Sequence, residues 1–253
     1  MFGVTLAQCG RRVWHVYEDL GDWALDADNW DPEWVRVAVD LIARVHMRFA
    51  DHPLLGECRQ YGDDFGMSFY VANVRDAARA LEALRPPVIE VTAADGAVRD
   101  RLLDRLHKHL DEQPHRARVM AEWGGPETLL HGDLWTSNTF IRPTVLGPQA
   151  LLIDWDHAGV GPISYDLSTF LYRFPPERRH RVLNLYRQAV GAAGWRLPTR
   201  PELNLLFDTA ERARYANRAM WAALALLQDR ADWGFVELAE VEQWFEALQP
   251  VLP

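Results

Sequence analysis

The most constraining feature of the sequence is a pair of polar segments joined by a short apolar ribbon. Residues 131–138 read His-Gly-Asp-Leu-Trp-Thr-Ser-Asn, and residues 151–156 read Leu-Leu-Ile-Asp-Trp-Asp. Between them, apolar residues at 139–141 and 150–153 flank a proline-containing turn, which is typical of two short antiparallel strands. The fold is therefore expected to contain a β-hairpin that carries polar side chains at the open ends of both strands.

Three of these polar side chains have the types and spacing of a phosphoryl-transfer centre. Asp133 would accept the proton of an attacking hydroxyl, whereas Asn138 and Asp154 would hold Mg²⁺ against nucleotide phosphates. Mg²⁺ prefers oxygen ligands, of which the protein usually supplies only one or two. His131 is expected to fix the loop by hydrogen bonds to backbone, with a general-base role as the alternative.

A dinuclear metallohydrolase is the competing interpretation of the same segments. Its ligands would be His131, Asp133, Asp154, Asp156 and His157. Such centres usually need further clusters of histidine and aspartate, and the other histidines stand singly or on predicted helices. The phosphoryl-transfer interpretation is therefore favoured.

Composition excludes several classes of partner. The formal net charge of −9 argues against a nucleic-acid partner, which needs a basic surface, and is compatible with a cationic small-molecule substrate. Two cysteines, Cys9 and Cys58, are too few for a disulfide framework. The N-terminus does not resemble a signal peptide, and no apolar run reaches the ~20 residues of a membrane span. We expect a cytoplasmic protein without a membrane partner.

Apolar periodicity predicts an α+β fold that is mostly helical. Asp31, Pro32 and Glu33 form a helix start, with an N-cap, a proline at the first position and an acid in the first turn. That helix should extend to Phe49, and residues 51–70, which contain three glycines, should form an irregular connection. A strand is predicted near 12–20, and further helices near 74–84, 96–112, 166–173, 177–193, 201–228 and 232–248.

The two polar segments, continued by Ala-Gly-Val-Gly-Pro-Ile-Ser-Tyr-Asp-Leu at 158–167, resemble the aminoglycoside phosphotransferase and choline kinase family, a branch of the protein-kinase-like fold. The resemblance covers about residues 12–248 and is sharp over 129–171. It implies a small-molecule O-phosphotransferase that uses Mg²⁺ and ATP (or GTP). It also implies that Asp133 is the base and that Asn138 and Asp154 bind Mg²⁺.

The resemblance further implies a nucleotide site. Val-Tyr-Glu-Asp-Leu-Gly at 16–21 is similar to the hinge whose backbone meets the adenine, so Tyr17, Glu18 and Leu20 are expected there. Phe140 and Ile153 would line the floor beneath the adenine ring. Val45-His46 is similar to the family's Leu-His at the end of the first large-lobe helix.

Most of the small N-terminal lobe of such kinases has no counterpart. The single lysine, Lys108, follows the hinge-like segment instead of preceding it, and no Gly-x-Gly-x-x-Gly is present. Residues 1–21 are expected to be a remnant of that lobe with its hinge, and residues 22–253 a helical large lobe. The chain would be a truncated kinase, an inactive large-lobe protein with a binding or regulatory role, or one that receives its small lobe from another chain.

Two expectations concern partners. An uncovered nucleotide cleft favours association, so a homo-oligomer that buries residues 1–21 is predicted. Acceptor recognition is expected from 51–70 and the C-terminal helices, where acids would bind a polycation or tryptophans would enclose a quaternary ammonium. Solvated acids and core tryptophans are the simpler interpretation of these residues, which are Asp63, Asp64, Asp208, Glu211, Glu237, Glu240, Trp221, Trp233 and Trp244.

Overall fold

The computed structural model describes the backbone of residues 3–7, 12–29 and 31–253 and the side chains of 17–29 and 31–253. Strands β1 (Gly3–Ala7) and β2 (Arg12–Val16) pair antiparallel, with Gly3 opposite Val16. The expectations for Cys9 and for burial of residues 1–16 in an oligomer lie outside the described residues or side chains. The predicted strand over 12–20 is thus confirmed for its first part, with β2 ending at Val16.

Helix α1 (Pro32–Phe49) forms where local capping chemistry predicts it. The Asp31 carboxylate accepts hydrogen bonds from the backbone N–H groups of Glu33 and Trp34, at 2.8 and 3.2 Å. These bonds satisfy two donors that no helix can satisfy internally. One face of α1, including Val35 and Ile42, is fully buried, so the helix is anchored in the core.

The other helices are α2 (Leu55–Tyr61), α3 (Met67–Ala83), α4 (Ala93–Asp111), α5 (Gln113–Trp123), α6 (Ser164–Tyr172), α7 (Pro176–Gly191), α8 (Arg200–Asp229) and α9 (Trp233–Ala247). The prediction of an irregular connection over 51–70 was wrong, because this stretch contains α2 and the start of α3. Arg59 on α2 forms ion pairs with Asp64 and Glu127, at 3.5 and 2.5 Å. These contacts reach beyond the helix, and local propensity does not reveal them.

The strands that follow α2 form two small sheets. Strand β7 (Gly159–Pro162) is parallel to β3 (Asp63–Asp64) and antiparallel to β4 (Glu127–Leu130). Strands β5 (Thr139–Thr144) and β6 (Gly147–Leu152) form the predicted hairpin. In β7, a Cβ on Gly159 would lie 2.5 Å from the carbonyl oxygen of Asp63, so glycine permits the close approach of the two strands.

The segment after β2 pairs briefly with strand β5 of the hairpin. Leu25 N–H donates to the Thr139 carbonyl oxygen at 2.7 Å, and Ile141 N–H donates to the Trp23 carbonyl oxygen at 2.8 Å. The bridge between Ala24 and Phe140 completes the pairing. The segment that follows the hinge-like residues is therefore attached to the hairpin, while the division into 1–21 and 22–253 stays a prediction.

Two apolar clusters form most of the core. One joins α1, α6 and α7 to the hairpin and includes Ile42, Ile141 and Phe170. The other joins α3, α4, α8 and α9 and includes Leu81 and Leu106. The predicted mostly helical α+β fold with a central hairpin is confirmed.

None of the helices in the described ranges is long and apolar enough to cross a membrane.

Candidate active site

The loop between β4 and the hairpin has a backbone shape that requires glycine. Gly132 has φ +82°, and a Cβ at this position would overlap the backbone carbonyl oxygen of His157. Residues with a Cβ rarely adopt a positive φ. Both the backbone conformation and the lack of space beside His157 therefore exclude residues other than glycine. Asp133 follows this turn directly, and its side chain is half-buried.

The carboxylate of Asp166 on α6 binds the backbone of this loop. It accepts hydrogen bonds from the backbone N–H groups of His131 and Gly132, at 2.8 and 3.0 Å. His46 Nε2 donates to the same carboxylate at 3.2 Å, and His46 Nδ1 lies 2.9 Å from the Tyr186 hydroxyl. Burial alone would raise the pKa of Asp166, but the donors from His46 and the loop outweigh it and hold that pKa below its ordinary value.

His131 connects the loop to the end of the hairpin. Its Nε2 donates to the carbonyl oxygen of Ile153 at 2.7 Å, and its Nδ1 accepts from the backbone N–H of Asp133 at 3.3 Å. These two partners assign the proton to Nε2. His131 is almost fully buried, and both ring nitrogens are occupied by backbone groups, as expected for a residue that fixes the loop. This arrangement offers no support for His131 as the general base.

Asn138 contacts Asp133 directly. Its Nδ2 donates to the Asp133 carbonyl oxygen at 2.9 Å and to carboxylate Oδ2 at 3.2 Å. The short 3₁₀ helix at Thr136–Asn138 makes this contact possible, because it turns the chain back toward the loop. Since Nδ2 is used in this way, Oδ1 is left as the side-chain oxygen available to a cation, and no described residue donates to it.

Asp154 stands directly after β6 in an uncommon backbone conformation. Its φ is +64°, and its side chain is exposed. The preceding residue is fixed by the hairpin, because Ile153 N–H donates to the Asn138 carbonyl oxygen at 3.0 Å. Non-glycine residues at positive φ cost roughly 1–3 kcal/mol and concentrate at functional sites. The hairpin thus brings the segments that carry Asn138 and Asp154 side by side.

The five residues predicted to bind a nucleotide line one cavity of about 930 Å³. Tyr17, Glu18 and Leu20 form one wall, and Phe140 and Ile153 contribute from the hairpin; Asp154 lies at the same cavity. Glu18 also forms an ion pair with Arg142 of β5 at 2.6 Å. The cavity volume is within the range of small-molecule and cofactor sites.

Trp155 also lines this cavity, and the sequence analysis did not predict it as a binding residue. The Trp155 ring lies 4.7 Å from the His131 ring. Its Nε1 donates to the Leu152 carbonyl oxygen at 3.1 Å, which closes the turn after the hairpin. The only signal in the sequence was the position of this tryptophan between two acids, and packing against a buried histidine is not visible there.

Metal-binding clusters of the hydrolase type are not found in the described part of the chain. No group of three or more His, Cys, Asp or Glu residues could hold an ion there. Asp156 and His157 are exposed, and His157 Nε2 is 4.0 Å from Asp156 Oδ1. A centre with one amide and one carboxylate, completed by phosphates, does not need such a cluster.

Most acids proposed for a polycationic acceptor already have arginine partners. Asp208 pairs with Arg116 and Arg212 at 2.7 and 2.6 Å, and Asp64 pairs with Arg59. The tryptophans proposed to enclose a quaternary ammonium are in different environments. Trp244 stacks on Tyr215, whereas Trp221 and Trp233 are exposed.

Comparison with known proteins places this geometry in a family. Residues 5–206 match the model of the phosphotransferase enzyme family. None of the curated proteins matches the chain at a significant level.

Comparison with solved structures identifies proteins that share the fold of this chain. An ethanolamine kinase from Plasmodium vivax is 15% identical, with a TM-score of 0.58 over 97% of this chain and 66% of that one. A choline/ethanolamine kinase family protein from Mesorhizobium loti is 13% identical, with a TM-score of 0.56 over 97% and 71%. A spectinomycin phosphotransferase in complex with ADP and spectinomycin is 11% identical, with a TM-score of 0.52 over 90% and 66%. The chain is thus similar in fold to kinase-like proteins and spans about two thirds of the length of those relatives.

Proposed function

The chain belongs to the phosphotransferase enzyme family, and from this premise we propose that it transfers the γ-phosphoryl group of ATP or GTP to a hydroxyl of a small molecule. In this reaction the acceptor oxygen forms a bond to the γ-phosphorus. The bond between that phosphorus and the β–γ bridging oxygen breaks, and the nucleoside diphosphate leaves. The hydroxyl proton moves to the Asp133 carboxylate.

The contact of Asn138 with Asp133 is the observation that carries the proposal. A loose phosphoryl transfer needs an oriented carboxylate more than a strong base. The hydrogen bond from Asn138 Nδ2 to Asp133 Oδ2 at 3.2 Å fixes one carboxylate oxygen, so the other is free for a hydroxyl. The glycine turn and the Asp166 brace hold the backbone of the same loop.

Asn138 and Asp154 are the residues that would hold Mg²⁺. The donor set fits this ion, because an amide oxygen and a carboxylate are hard ligands and leave positions for phosphates and water. Asn138 Oδ1 suits the role because the Nδ2 of the same amide is bound to Asp133. When bound, Mg²⁺ would neutralise charge on the phosphates.

The cavity between the hinge-like residues and the hairpin is the nucleotide site of the proposal. Tyr17, Leu20, Phe140 and Ile153 supply the apolar surface that a purine ring needs. Support for an adenine nucleotide comes from the spectinomycin phosphotransferase, whose structure contains ADP. Binding in this cavity would bring the phosphates to Asp154, which also lines it.

An inactive binding or regulatory module is the second candidate. The observation that favours it is the position of Lys108, the single lysine of the sequence. It lies on α4 at a separate cavity lined by Arg101, Arg105 and Arg212. Lys108 is thus not among the residues that line the cleft cavity, whereas in an active kinase a lysine contacts the nucleotide phosphates.

Calorimetric titration with Mg·ATP and Mg·GTP separates the two candidates. We expect one of them to bind with an affinity on the order of 1 mM or tighter, with ADP or GDP release in the presence of hydroxyl acceptors. Asp133→Asn should lower kcat about 100- to 10,000-fold while nucleotide affinity is kept, because the carboxylate acts only on the acceptor proton. Ser137→Ala, in the same turn, is the matched control.

Each negative result has a defined meaning. If neither nucleotide produces heat on titration, the regulatory module is favoured. Undiminished turnover in Asp133→Asn would remove Asp133 as the base, and a loss of turnover in Ser137→Ala of the same size would show that the loop has merely been disturbed.

A further inference from the structure

Arg173, which follows α6, carries a guanidinium beside the catalytic loop. Its Cζ lies 3.7 Å from the centre of the Trp135 ring. Trp135 in turn donates its backbone N–H to the Asp133 carbonyl oxygen at 2.8 Å. Among the described side chains only two buried polar atoms have no hydrogen-bond partner, and Arg173 Nε is one of them. A buried donor of a charged group left in this way costs free energy, which a bound anion would recover.

Three acids of α8 and α9 are bound to other arginines. Glu211 is buried and pairs with Arg214. Glu237 and Glu240 of α9 both pair with Arg218, at 2.5 and 3.4 Å. These pairings balance the charges of the two α8 arginines and leave the guanidinium at the end of α6 without a carboxylate of its own.

The charged groups that act on Arg173 do not neutralise its guanidinium. Burial is the largest influence and lowers the pKa of Arg173, whereas Glu211 and Asp133 act on it electrostatically in the opposite sense. Neither acid forms a salt bridge with Arg173 in the described part of the protein. Arg173 thus remains a partly buried cation close to Asp133, and its guanidinium can still donate hydrogen bonds to a ligand.

We propose that Arg173 binds an anionic group of the acceptor, so that the acceptor is a hydroxyl compound that also carries a carboxylate or a phosphate. This inference rests on the proposed phosphotransferase function. A guanidinium presents forked N–H donors that match both anions, often through two parallel hydrogen bonds. The Trp135 ring covers one face of the group, and the N–H groups in the guanidinium plane are those that would donate to the ligand.

The position of Arg173 assigns it to the acceptor and not to the nucleotide. The proposed nucleotide cavity is lined by residues 17–21, 140 and 151–156, and neither Arg173 nor Trp135 is among them. Arg173 approaches Asp133 from the helical lobe instead. A cationic acceptor, which the net charge alone would allow, would meet a charge of the same sign here.

An acceptor panel with matched charges tests the proposal on the wild-type chain. The probes are glycerate and glycerol 3-phosphate as anions, glycerol as the neutral compound and choline as the cation. We expect nucleotide-dependent turnover with the anions and at least about tenfold lower kcat/KM with glycerol and choline. Equal or better turnover with choline or glycerol would overturn the inference while leaving the phosphotransferase function intact.

A substitution then assigns the effect to Arg173. Arg173→Gln should raise the KM for the anionic acceptor about 10- to 100-fold and leave the KM for ATP unchanged. Arg173→Lys should restore part of the loss, because it keeps the charge without the fork. Arg36→Gln on α1, which pairs with Asp40 on the surface at 2.9 Å, is the matched control. An unchanged acceptor KM, or a rise confined to the KM for ATP, would overturn the inference.

Calorimetry with glycerate and glycerol 3-phosphate alone keeps the inference separate from the function. Binding that Arg173→Gln abolishes, in a chain without any turnover, would support the anion site and reject the phosphotransferase proposal. Anion binding that survives in Arg173→Gln would reject the site whatever the turnover. The thermal midpoint of each variant shows that it is folded.

Discussion

The side-chain amide of Asn138 donates to both the carbonyl oxygen and the carboxylate of Asp133, at 2.9 and 3.2 Å. One residue thereby orients the proposed base and presents its remaining oxygen to the proposed cation. The two proposed roles depend on the same amide, so a single substitution should affect both.

We expect Asn138→Ala to lower kcat about 100-fold or more and to weaken the dependence of nucleotide binding on Mg²⁺. The alanine removes the donor to Asp133 Oδ2 as well as the oxygen ligand. Steady-state kinetics and a Mg²⁺ titration of nucleotide affinity measure the two effects. Ser137→Ala provides the comparison, and a variant with unaltered kcat would contradict the proposed role of Asn138.

The glycine turn of the catalytic loop should be intolerant of any side chain. Gly132→Ala places a Cβ against the His157 carbonyl oxygen at a φ of +82°. Gly125 offers a control, because its φ is +75° and no atom lies within 4 Å of the Cβ position. We expect Gly125→Ala to cost about 1–2 kcal/mol from backbone strain alone, and Gly132→Ala about 2 kcal/mol more, because overpacking is added.

Urea unfolding of the two glycine variants measures this difference. If both lose the same stability, the loop has room to move away from His157, and the proposed close approach of backbone to backbone is incorrect.

His109 should make the protein sensitive to mild acid. Burial, followed by the charges of Arg212, Arg116 and Arg105, lowers the pKa of His109 to about 2. The unfolded chain binds a proton near pH 6.5 and the folded chain does not, so stability falls as the pH drops below 6.5. Between pH 6.5 and 4.5 this linkage amounts to about 2–3 kcal/mol.

His109→Gln should remove most of that pH dependence, because glutamine keeps an acceptor for Arg212 without binding a proton. His107→Gln is the control on the same helix, since His107 is exposed beside Glu82 at 3.7 Å. Free energies of unfolding measured from pH 7 to 4.5 give the comparison. Equal slopes for the wild type and His109→Gln would show that another group is responsible.

Sequence reasoning succeeded where the determining contacts are local. The start of α1 was predictable because Asp31 caps the two residues that follow its proline. The hairpin was predictable because its strands adjoin in the chain. The contact between Asn138 and Asp133 is of the same local kind, since the two residues are five positions apart, while their catalytic roles stay a prediction.

Contacts between distant parts of the chain were not predictable in this way. His46 is 120 residues from Asp166 and 140 from Tyr186, and no local pattern relates them. Strand β7 contains two glycines and pairs with β3 over only two residues, so it lacks the alternation that identifies a strand. Arg173 directly follows a helix that was predicted, but its guanidinium has no salt bridge with a described residue because the acids of α8 and α9 bind other arginines.

The hydrogen bonds that the loop donates to Asp166 have a consequence for ligand binding. Because this carboxylate is fixed by His46 and lies in the interior, the shape of the loop is decided when the protein folds and not when a substrate arrives. A preorganised loop spares the complex the entropy of immobilising it. More of the binding free energy of nucleotide and acceptor is then available to align the reacting groups.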